Sequence, residues 1–248
     1  VLVNRTLEVN ETCLVMNGKE SITIDCSGNQ ILGNSSGYGI YLNRTQGVKI
    51  RNCSIGNFSY GVYLDRDVNG FFQNLSLFSN GMGIWLEAEN QSECNKSFQN
   101  VSVKGAELIY RNSTQNLSVK DMEAGEVVFC GVNESVIQNI TIEDGDGIFL
   151  ILAWNNTVND SRVRGSGYGI YIRGSGNLIY NNFFSNQVNV WVNGTNFWNT
   201  SLNCSVKNII NGSCLGGNYW NDYNGIDEDN DTIGETPYVI DSQNSDYL

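Results

Sequence analysis

The candidates for chemistry in this sequence are carboxylates, because the chain contains no histidine. Acidic residues alternate within one short segment, at Asp227, Asp229 and Asp231, and are followed by Glu235. Carboxylates spaced in this way are the hard oxygen ligands that Ca²⁺ prefers. The segment predicts either a calcium site that ties the C-terminal segment to the last repeat, or a solvated acidic turn.

Two other pairs of carboxylates could serve an enzyme. Asp65 and Asp67 lie in one short stretch, and Asp144 and Asp146 lie in another. Glycoside hydrolases need two carboxylates that face one bond, and polysaccharide lyases combine clustered Asp with a basic residue. The comparable basic residues are Arg162, Arg164 and Arg173. Asp and Gly are also ordinary turn residues, so we assign no catalytic residue and expect a protein that is not an enzyme.

The composition excludes several classes of protein. With 26 acidic and 14 basic side chains the formal net charge is −12, so the chain lacks the basic face that binds nucleic acid. Without histidine there is no imidazole base and no His ligand for zinc, copper or iron. No segment reaches the ~18 to 20 apolar residues of a membrane span. Val1 and seven cysteines predict an exported, processed chain at the cell surface, in an oxidising compartment.

A four-residue motif recurs about every 21 residues, as expected of a repeat protein. Its copies are GIYL (39–42), GVYL (61–64), GIWL (83–86), LIYR (108–111), VVFC (127–130), GIFL (147–150), GIYI (169–172) and NVWV (189–192). A second motif, Asn followed by alternating apolar and Ser/Thr residues, falls between them, starting at Asn52, Asn74, Asn100, Asn116, Asn139 and Asn199. Short β-branched and aromatic runs between Gly, Asn and Ser predict strands. The predicted fold class is therefore all-β, a parallel β-helix of about eight to nine coils with a C-terminal capping segment.

The repeats resemble those of a known family. The runs ITIDCSGNQI (22–31), GYGIYL (37–42) and VKIRNCSI (48–55) are similar to the right-handed parallel β-helix repeats of NosD-like proteins, which are abundant on archaeal cell surfaces. GGNYWNDYNG (216–225) and DEDNDTIGETPY (227–238) resemble the segment that ends such domains. The group mixes copper-site accessory, sugar-binding, sugar-cleaving and S-layer-associated proteins, so the resemblance implies fold and surface location. We expect a lead-in at 1–19, a parallel β-helix at 20–215 and a C-terminal segment with the acidic loop at 216–248.

Alternation along each motif should turn its aliphatic residues inward and its aromatic residue outward. The predicted outward stripe is Tyr41, Tyr63, Trp85, Phe129, Phe149, Tyr171 and Trp191. Arg111 would fall inside, so we expect a register shift or bulge at 107–111. A stripe of this length predicts a surface covered by the chain's own ends, a subunit interface, or a platform on which sugars stack.

Asparagine is unusually frequent, and 21 of the 37 asparagines begin an Asn-x-Ser/Thr triplet, the acceptor for N-glycans. Asparagines at one corner of a solenoid can instead stack into an amide ladder, but the triplets also occur at irregular positions, which favours glycosylation. We predict covalent N-linked glycans at Asn4, Asn10, Asn34, Asn43, Asn57, Asn74, Asn90, Asn95, Asn100, Asn112, Asn116, Asn133, Asn139, Asn155, Asn159, Asn193, Asn199 and Asn211.

The cysteines predict two disulfides, Cys13 with Cys26 and Cys204 with Cys214. Cys53, Cys94 and Cys130 are left over. Alternation would make Cys130 a buried free thiol. Alternatively, an exposed cysteine, best placed at Cys94, would bridge to a neighbouring subunit.

Together these features predict an extracellular, N-glycosylated structural protein that self-assembles into a filament, sheath or S-layer-like lattice. Open strand edges at the ends of a β-helix favour head-to-tail contacts, which do not close. The alternative is a sugar-binding adhesin whose partners are cell-surface glycans or other surface proteins, and the third possibility is a polysaccharide lyase or hydrolase.

Overall fold

The computed structural model describes residues 1–228 and 232–247, which form a parallel β-solenoid of about eight turns. The predicted fold class is therefore confirmed. The chain divides into two compact units. Unit 1 comprises Val1–Ser113 and Gly125–Cys130, and unit 2 comprises Thr114–Ala124 and Gly131–Leu248. Within the described residues, no helix is long and apolar enough to cross a membrane.

Unit 1 is built from short strands that stack on the equivalent strand one coil away. Its elements are β1 (Leu7–Glu8), β2 (Leu14–Asn17), β3 (Thr23–Asp25), β4 (Gln30–Leu32), β5 (Tyr38–Asn43), β6 (Lys49–Gly56), β7 (Tyr60–Asp65), β8 (Gly70–Phe78), β9 (Met82–Glu87), a 3₁₀ helix (Gln91–Cys94), β10 (Lys96–Val103), β11 (Ala106–Asn112) and β13 (Glu126–Cys130). One sheet has the order β1-β4-β6-β8-β10-β11-β13, with β3 also on β6, and the other has the order β2-β5-β7-β9.

The core of unit 1 follows from the alternation of the repeats. Ile40, Val62 and Ile84 are paired across β5, β7 and β9 and are almost completely buried. Stacking identical positions one coil apart removes both faces of each aliphatic side chain from water, which stabilises the fold by about 25 cal/mol per Å² of apolar area. The repeat therefore encodes both the strand and its partner.

Unit 2 has the same construction. Its strands are β12 (Ser118–Glu123), β14 (Val136–Glu143), β15 (Gly147–Ile151), β16 (Thr157–Asn159), β17 (Arg162–Arg164), β18 (Tyr168–Arg173), β19 (Leu178–Tyr180), β20 (Phe183–Ser185), β21 (Val188–Asn193), β22 (Tyr219–Trp220), β23 (Tyr238–Val239) and β24 (Ser245–Asp246). One sheet has the order β15-β18-β21, and another has the order β19-β16-β14-β17-β20-β22, with β12 also on β14. The pair β23-β24 is an antiparallel hairpin. The residues 199–202, predicted as a strand, form none.

The asparagines of the second motif bend the long strands of unit 1. Asn52, Asn74 and Asn100 have φ of 55°, 53° and 51°, in the left-handed region that Asn tolerates better than most residues. The Nδ2 of Asn74 donates to Oδ1 of Asn52 at 3.0 Å, and Nδ2 of Asn100 donates to Oδ1 of Asn74 at 2.9 Å. We name this row the surface ladder, because its Asn74 and Asn100 are exposed.

The parallel stacking is interrupted near residues 102–107. There β10 and β11 pair antiparallel, with Ser102 opposite Glu107. Next, β11 pairs with β13 so that Arg111 lies opposite Phe129 and Tyr110 lies opposite Val128. Motif alignment placed Phe129 opposite Tyr110, and because side chains alternate, an error of one residue exchanges the two faces. The outward position predicted for Phe129 is wrong, since the ring is fully buried.

Three disulfides are formed, and two of them differ from the prediction. Cys204 is joined to Cys214, as predicted, but Cys26 is joined to Cys53 and not to Cys13. The reason is the stacking of β3 on β6, which brings Cys26 within 4.9 Å of Cys53 between their Cα atoms.

The third bridge corrects the remaining cysteine predictions. Cys94, at the end of the 3₁₀ helix, is joined to Cys130. Cys130 is therefore neither a free thiol nor at an inward position, and Cys94 is not available to a neighbouring subunit. Cys13 is the free cysteine, and burial raises the pKa of its thiol.

Candidate functional site

Five aromatic side chains lie together on the four-stranded sheet of unit 1, and we name this surface the aromatic platform. Its members are Tyr38, Tyr41, Tyr60, Tyr63 and Trp85. Neighbouring ring centroids are 5.0 to 5.8 Å apart, and every one of these side chains is partly exposed. The rings therefore form one continuous aromatic surface at the boundary with solvent.

The repeat positions the platform with two aromatics per coil. The pairing of β5 with β7 sets Tyr41 opposite Tyr63 and Tyr38 opposite Tyr60. The first two rings meet edge to face and the second two are stacked. Between them, Gly39 allows the coils to approach, because a Cβ there would lie 2.6 Å from the backbone oxygen of Gly61. Tyr38 and Tyr60 were not predicted as part of this surface, although the recurring Tyr-Gly-aliphatic-Tyr pattern indicates them.

A row of polar side chains borders the platform. Asn43, Asp65 and Glu87 occupy equivalent positions on β5, β7 and β9. The hydroxyl of Tyr41 donates to Oδ2 of Asp65 at 3.3 Å, and Nε1 of Trp85 donates to Oε1 of Glu87 at 2.8 Å. These contacts orient the rings and leave carboxylate oxygens along one edge of the platform.

The electrostatics keep the phenols of Tyr41 and Tyr63 neutral. Burial raises the pKa of Tyr41, and the neighbouring Asp65 raises it further. Burial, followed by the charge of Glu87, raises the pKa of Tyr63 strongly. Both hydroxyls therefore remain hydrogen-bond donors throughout the physiological range.

This combination of groups is suited to binding sugars. Aromatic faces pack against the apolar faces of a ring-shaped ligand while polar tips at their edges form hydrogen bonds. Ionised carboxylates accept strong hydrogen bonds from hydroxyl groups. Asp65 also pairs with Arg66, with Nε and Oδ1 2.8 Å apart, so the edge presents both acceptors and a cation.

Unit 2 contains a second aromatic row that is mostly covered. Phe149, Tyr171 and Trp191 are paired across β15, β18 and β21, and the rings of Tyr171 and Trp191 are parallel with centroids 4.2 Å apart. Phe149 and Tyr171 are buried, whereas Trp191 is 38% exposed. An exposed stripe of all seven predicted aromatics is therefore wrong, although two groups of three do come together within their own units.

The carboxylate pairs that could have served an enzyme are not brought together on one surface. Asp67 is fully buried, whereas Asp65 lies at the edge of the platform. Asp146 is fully buried, whereas Asp144 is exposed. Alternation alone would place residues two apart on one face, but the chain turns within each pair, where Arg66 and Asp144 have φ of 53° and 52°. Neither pair has the arrangement in which two carboxylates face one bond.

The three arginines that could have acted with these carboxylates lie in separate surroundings. Arg164 forms an ion pair with Glu143. The guanidinium of Arg162 lies 5.2 Å from the centroid of the Phe183 ring. Arg173 follows the aromatic row of unit 2 on β18. The structure therefore gathers no basic cluster beside a carboxylate pair.

The predicted calcium loop falls partly outside the described residues, because Asp229 and Asp231 lie there. Oδ2 of Asp227 accepts a hydrogen bond from the backbone N–H of Thr232 at 3.0 Å. Oε2 of Glu235 accepts one from the backbone N–H of Glu228 at 3.0 Å. In the described ranges, no three His, Cys, Asp or Glu side chains converge on a common point. The calcium site stays a prediction.

The asparagines fall into two structural classes. Nine are buried: Asn80, Asn156, Asn159, Asn177, Asn181, Asn182, Asn189, Asn196 and Asn244. Eight of these nine do not begin a glycosylation triplet, and Asn159 is the exception. In unit 2, Asn156, Asn177 and Asn196 form an internal amide ladder. The triplet asparagines other than Asn159, among the described residues, are exposed or half-buried.

The β-solenoid repeats match a known protein family. The model of the family described as periplasmic copper-binding protein (NosD) matches residues 22–225. The chain belongs to the NosD family. No curated protein matches it. Two solved structures of trypsin-treated QnrB1, a plasmid-mediated fluoroquinolone resistance protein, are also similar. The first shares 14% identity over 78% of this chain and 80% of that chain, with a TM-score of 0.20. The second shares 12% identity over 72% of this chain and 84% of that chain, with a TM-score of 0.15. At these TM-scores the likeness carries no structural argument.

The family is described as copper-binding, so the potential copper ligands of this chain have to lie close together if it holds copper. Copper sites use several His, Cys or Met ligands at one ion, and this chain offers three Met, the free Cys13 and no His. Met16 and Met82 lie on β2 and β9, the two outer strands of one four-stranded sheet, so at ~4.8 Å per strand they are separated by at least about 14 Å. Met122 is in unit 2. These donors do not fit a copper site.

Proposed function

We propose that this NosD-family protein is an N-glycosylated structural component of the cell surface that associates with copies of itself. The observation that carries the proposal is the division of the asparagines between the interior and the surface. If triplets had arisen from asparagine ladders alone, buried and exposed asparagines would carry Ser or Thr two residues later equally often. Instead, the triplets accompany surface positions, where a glycosyltransferase and a glycan have access.

The disulfides support an exported location. Three bridges in one chain require an oxidising compartment, which the cytosol of most cells does not provide. Dense glycans would add solvation to a chain in which only 16% of the residues are charged.

The strand edges support association with other copies. Among the described strands, β21 pairs only with β18, and its Val188 and Trp191 are 40% and 38% exposed. The strand carries no charged residue and no proline, the features that usually protect an edge against pairing. In unit 1, β2 is an edge strand of the four-stranded sheet, where it pairs only with β5 and exposes 54% of Val15. We propose that β21 of one copy adds to β2 of the next, which makes an open, head-to-tail polymer.

Glycopeptide mapping and electron microscopy of protein isolated from its source cells test the proposal. We expect glycans on surface triplets and regular polymers that Trp191→Lys disperses. Contrary to the prediction from the sequence, we expect no glycan on Asn159, because it is buried. Asn159 is 5% exposed and its Nδ2 donates to Asp160 at 2.6 Å, so it serves as the internal control. Unmodified triplets throughout would contradict the glycosylation, and dispersed single molecules at high concentration would contradict the assembly.

The aromatic platform favours a second candidate function, the binding of surface carbohydrates. Exposed aromatic rings beside the carboxylates of Asp65 and Glu87 support this role. We expect Trp85→Ala to weaken binding to a glycan array at least about tenfold, equivalent to ~1.4 kcal/mol. Trp154→Ala is the matched control, because this tryptophan is 41% exposed and lies outside the platform. Equal losses in the two variants, or binding by neither the variants nor the parent protein, would remove this candidate.

A further inference from the structure

Unit 1 contains a fully buried lysine beside a fully buried aspartate. The side chains of Lys96, at the start of β10, and Asp67, after β7, are both 0% exposed, with Nζ 3.9 Å from Oδ2. Burying two charges costs several kcal/mol for each ion unless they are tightly paired. A charge-assisted N–H···O contact is usually 2.7 to 2.9 Å long, so this pair does not have the geometry of a stable ion pair.

The contacts of Lys96 define the direction of its reactive electron pair. Nζ donates one hydrogen bond to the backbone oxygen of Asp67 at 2.6 Å and another to the backbone oxygen of Glu93. A neutral amine has two N–H donors, and these two carbonyls take both. The remaining direction, which holds the lone pair, is then free for the carboxyl group of Asp67.

The contacts of the Asp67 carboxyl group favour nucleophilic attack on its Cγ by an amine. Oδ1 accepts a hydrogen bond from the hydroxyl of Thr45 at 2.5 Å. Oδ2 is buried and has no hydrogen-bond partner among the described residues. Thr45 can therefore stabilise negative charge that develops on Oδ1, while nothing holds Oδ2 in place.

The surroundings favour the neutral forms of both groups. A Cβ on Gly70 would lie 2.5 Å from Oδ2 of Asp67 and 2.7 Å from the ring of Phe72, so the oxygen and the aromatic ring both pack against this glycine. The Phe72 ring is itself stacked on Phe98, with centroids 4.7 Å apart. Burial raises the pKa of Asp67 and lowers the pKa of Lys96 to about 8.

The other ionisable group close to the amine is directed elsewhere. Oε2 of Glu93 accepts the backbone N–H of Glu89 at 2.6 Å, and Oε1 accepts Nδ2 of Asn90 at 2.8 Å. These contacts hold the carboxylate in the turn before the 3₁₀ helix. Proton transfer therefore takes place within the Lys96 and Asp67 pair itself.

We propose that Lys96 and Asp67 react with each other to form an intramolecular isopeptide bond. The lone pair of Nζ attacks Cγ of Asp67, a C–N bond forms, and the charge on Oδ1 is stabilised by the Thr45 hydroxyl. A proton passes from Nζ to Oδ2, the Cγ–Oδ2 bond breaks, and Oδ2 leaves as water while the carbonyl at Oδ1 reforms. The products are one amide and one water molecule, with no oxidant, reductant or other reactant.

The bond would lock two coils of unit 1 to each other. It would enclose β8, β9 and the 3₁₀ helix, whereas the bridge from Cys94 to Cys130 closes the segment that follows. Unlike that bridge, an amide is insensitive to reductant. Such a covalent link suits a protein exposed outside the cell, and it does not depend on glycosylation or assembly.

Mass spectrometry of the whole chain tests the proposal. The protein is exported to the periplasm of a bacterium without N-glycosylation, then reduced, alkylated and denatured. We call the mass calculated for the fully alkylated sequence the full sequence mass. We expect an intact mass one water molecule below it, and a protease fragment in which the peptides of Asp67 and Lys96 are joined. The full sequence mass, or a loss of water without the joined fragment, would overturn the proposal.

Variants separate the chemistry from folding. Lys96→Arg retains a cation that cannot form this amide and should have the full sequence mass, whereas Thr45→Val should react more slowly and yield a mixture. Asp25→Ala removes an exposed ion pair with Arg51 and should still lose water completely. Water loss that persists in Lys96→Arg would refute the assignment. The measurement on the parent protein stands even if a variant does not fold.

Discussion

The internal amide ladder of unit 2 makes a direct prediction about stability, tested by Asn177→Ala. Asn177 is completely buried. Its Oδ1 accepts the backbone N–H of Asn156 at 2.9 Å and Nδ2 of the same residue at 3.1 Å. Its Nδ2 donates to the backbone oxygen of Ala153 at 3.1 Å and to Oδ1 of Asn196 at 2.9 Å. One side chain therefore satisfies groups on two neighbouring coils.

The expected loss follows from the groups that the substitution leaves behind. Nδ2 of Asn156 keeps its bond to Val132, and Oδ1 of Asn196 keeps the backbone N–H of residue 177. The backbone N–H of Asn156 and the carbonyl of Ala153 lose the partner that residue 177 supplied. Each such buried group costs about 1 to 3 kcal/mol, so we expect Asn177→Ala to lower the free energy of unfolding by about 2 to 6 kcal/mol.

Urea unfolding measures this loss. With an m value of about 3 kcal/mol per M, a loss of ~3 kcal/mol moves the midpoint by about 1 M. Asn193→Ala is the control, because Asn193 is an exposed triplet asparagine on β21, and surface substitutions of this kind stay within about 0.5 kcal/mol. Equal midpoints for the two variants would refute the distinction between internal and surface asparagines.

Three further predictions concern unit 1 and the C-terminal segment. Cys94→Ser opens a bridge between residues 36 apart and should cost about 3 to 4 kcal/mol in thermal unfolding, whereas the same change at Cys13 should cost little. Leu64→Ala, at a fully buried position, should cost about 2 to 5 kcal/mol in the same assay. Hydrogen bonds from Gln243 and Asn244 lower the pKa of Asp241. Its contribution to stability should therefore be complete above the ordinary Asp pKa of about 3.9 and disappear as the pH falls through the lower pKa of the folded state. Hydrogen exchange of the Gln243 amide measures this loss, and Asp241→Asn is the control that should show no pH dependence.

The strands could be predicted from the sequence because each one is encoded by its own residues and repeated in the next coil. Ile40 and Leu42 are buried against strands that have the same alternation of aliphatic residues. The residues of one strand therefore determine both its own conformation and the strand with which it pairs. The same logic would have found the disulfide from Cys26 to Cys53, since their separation of 27 residues is close to one coil. Proximity in the sequence favoured Cys13 instead, although stacking is what brings residues together in a solenoid.

The register after β10 could not be predicted in the same way. The hairpin in which Val103 faces Ala106 interrupts the parallel stacking, and no residue pattern specifies by how many positions the next strand shifts. The one sign of a register shift in the sequence was that alternation would place the charged Arg111 inside. A shift of one residue then buried Phe129, which the repeat alone places outside. The pair of Lys96 and Asp67 was missed for a related reason, because the two residues belong to different coils and only stacking brings them together.

Glycosylation and sugar binding are linked in this structure through Asn43. This triplet asparagine stands beside Asp65 in the polar row that borders the aromatic platform, and Asp65 in turn accepts the hydroxyl of Tyr41. A glycan on Asn43 would begin within a few ångströms of the platform, so its own sugars would compete with external ones for the aromatic surface. Protein from the source cells should then bind added glycans more weakly than unglycosylated protein, and Asn43→Gln should abolish that difference. Equal binding by glycosylated and unglycosylated protein would show that the platform and the glycan at Asn43 are independent.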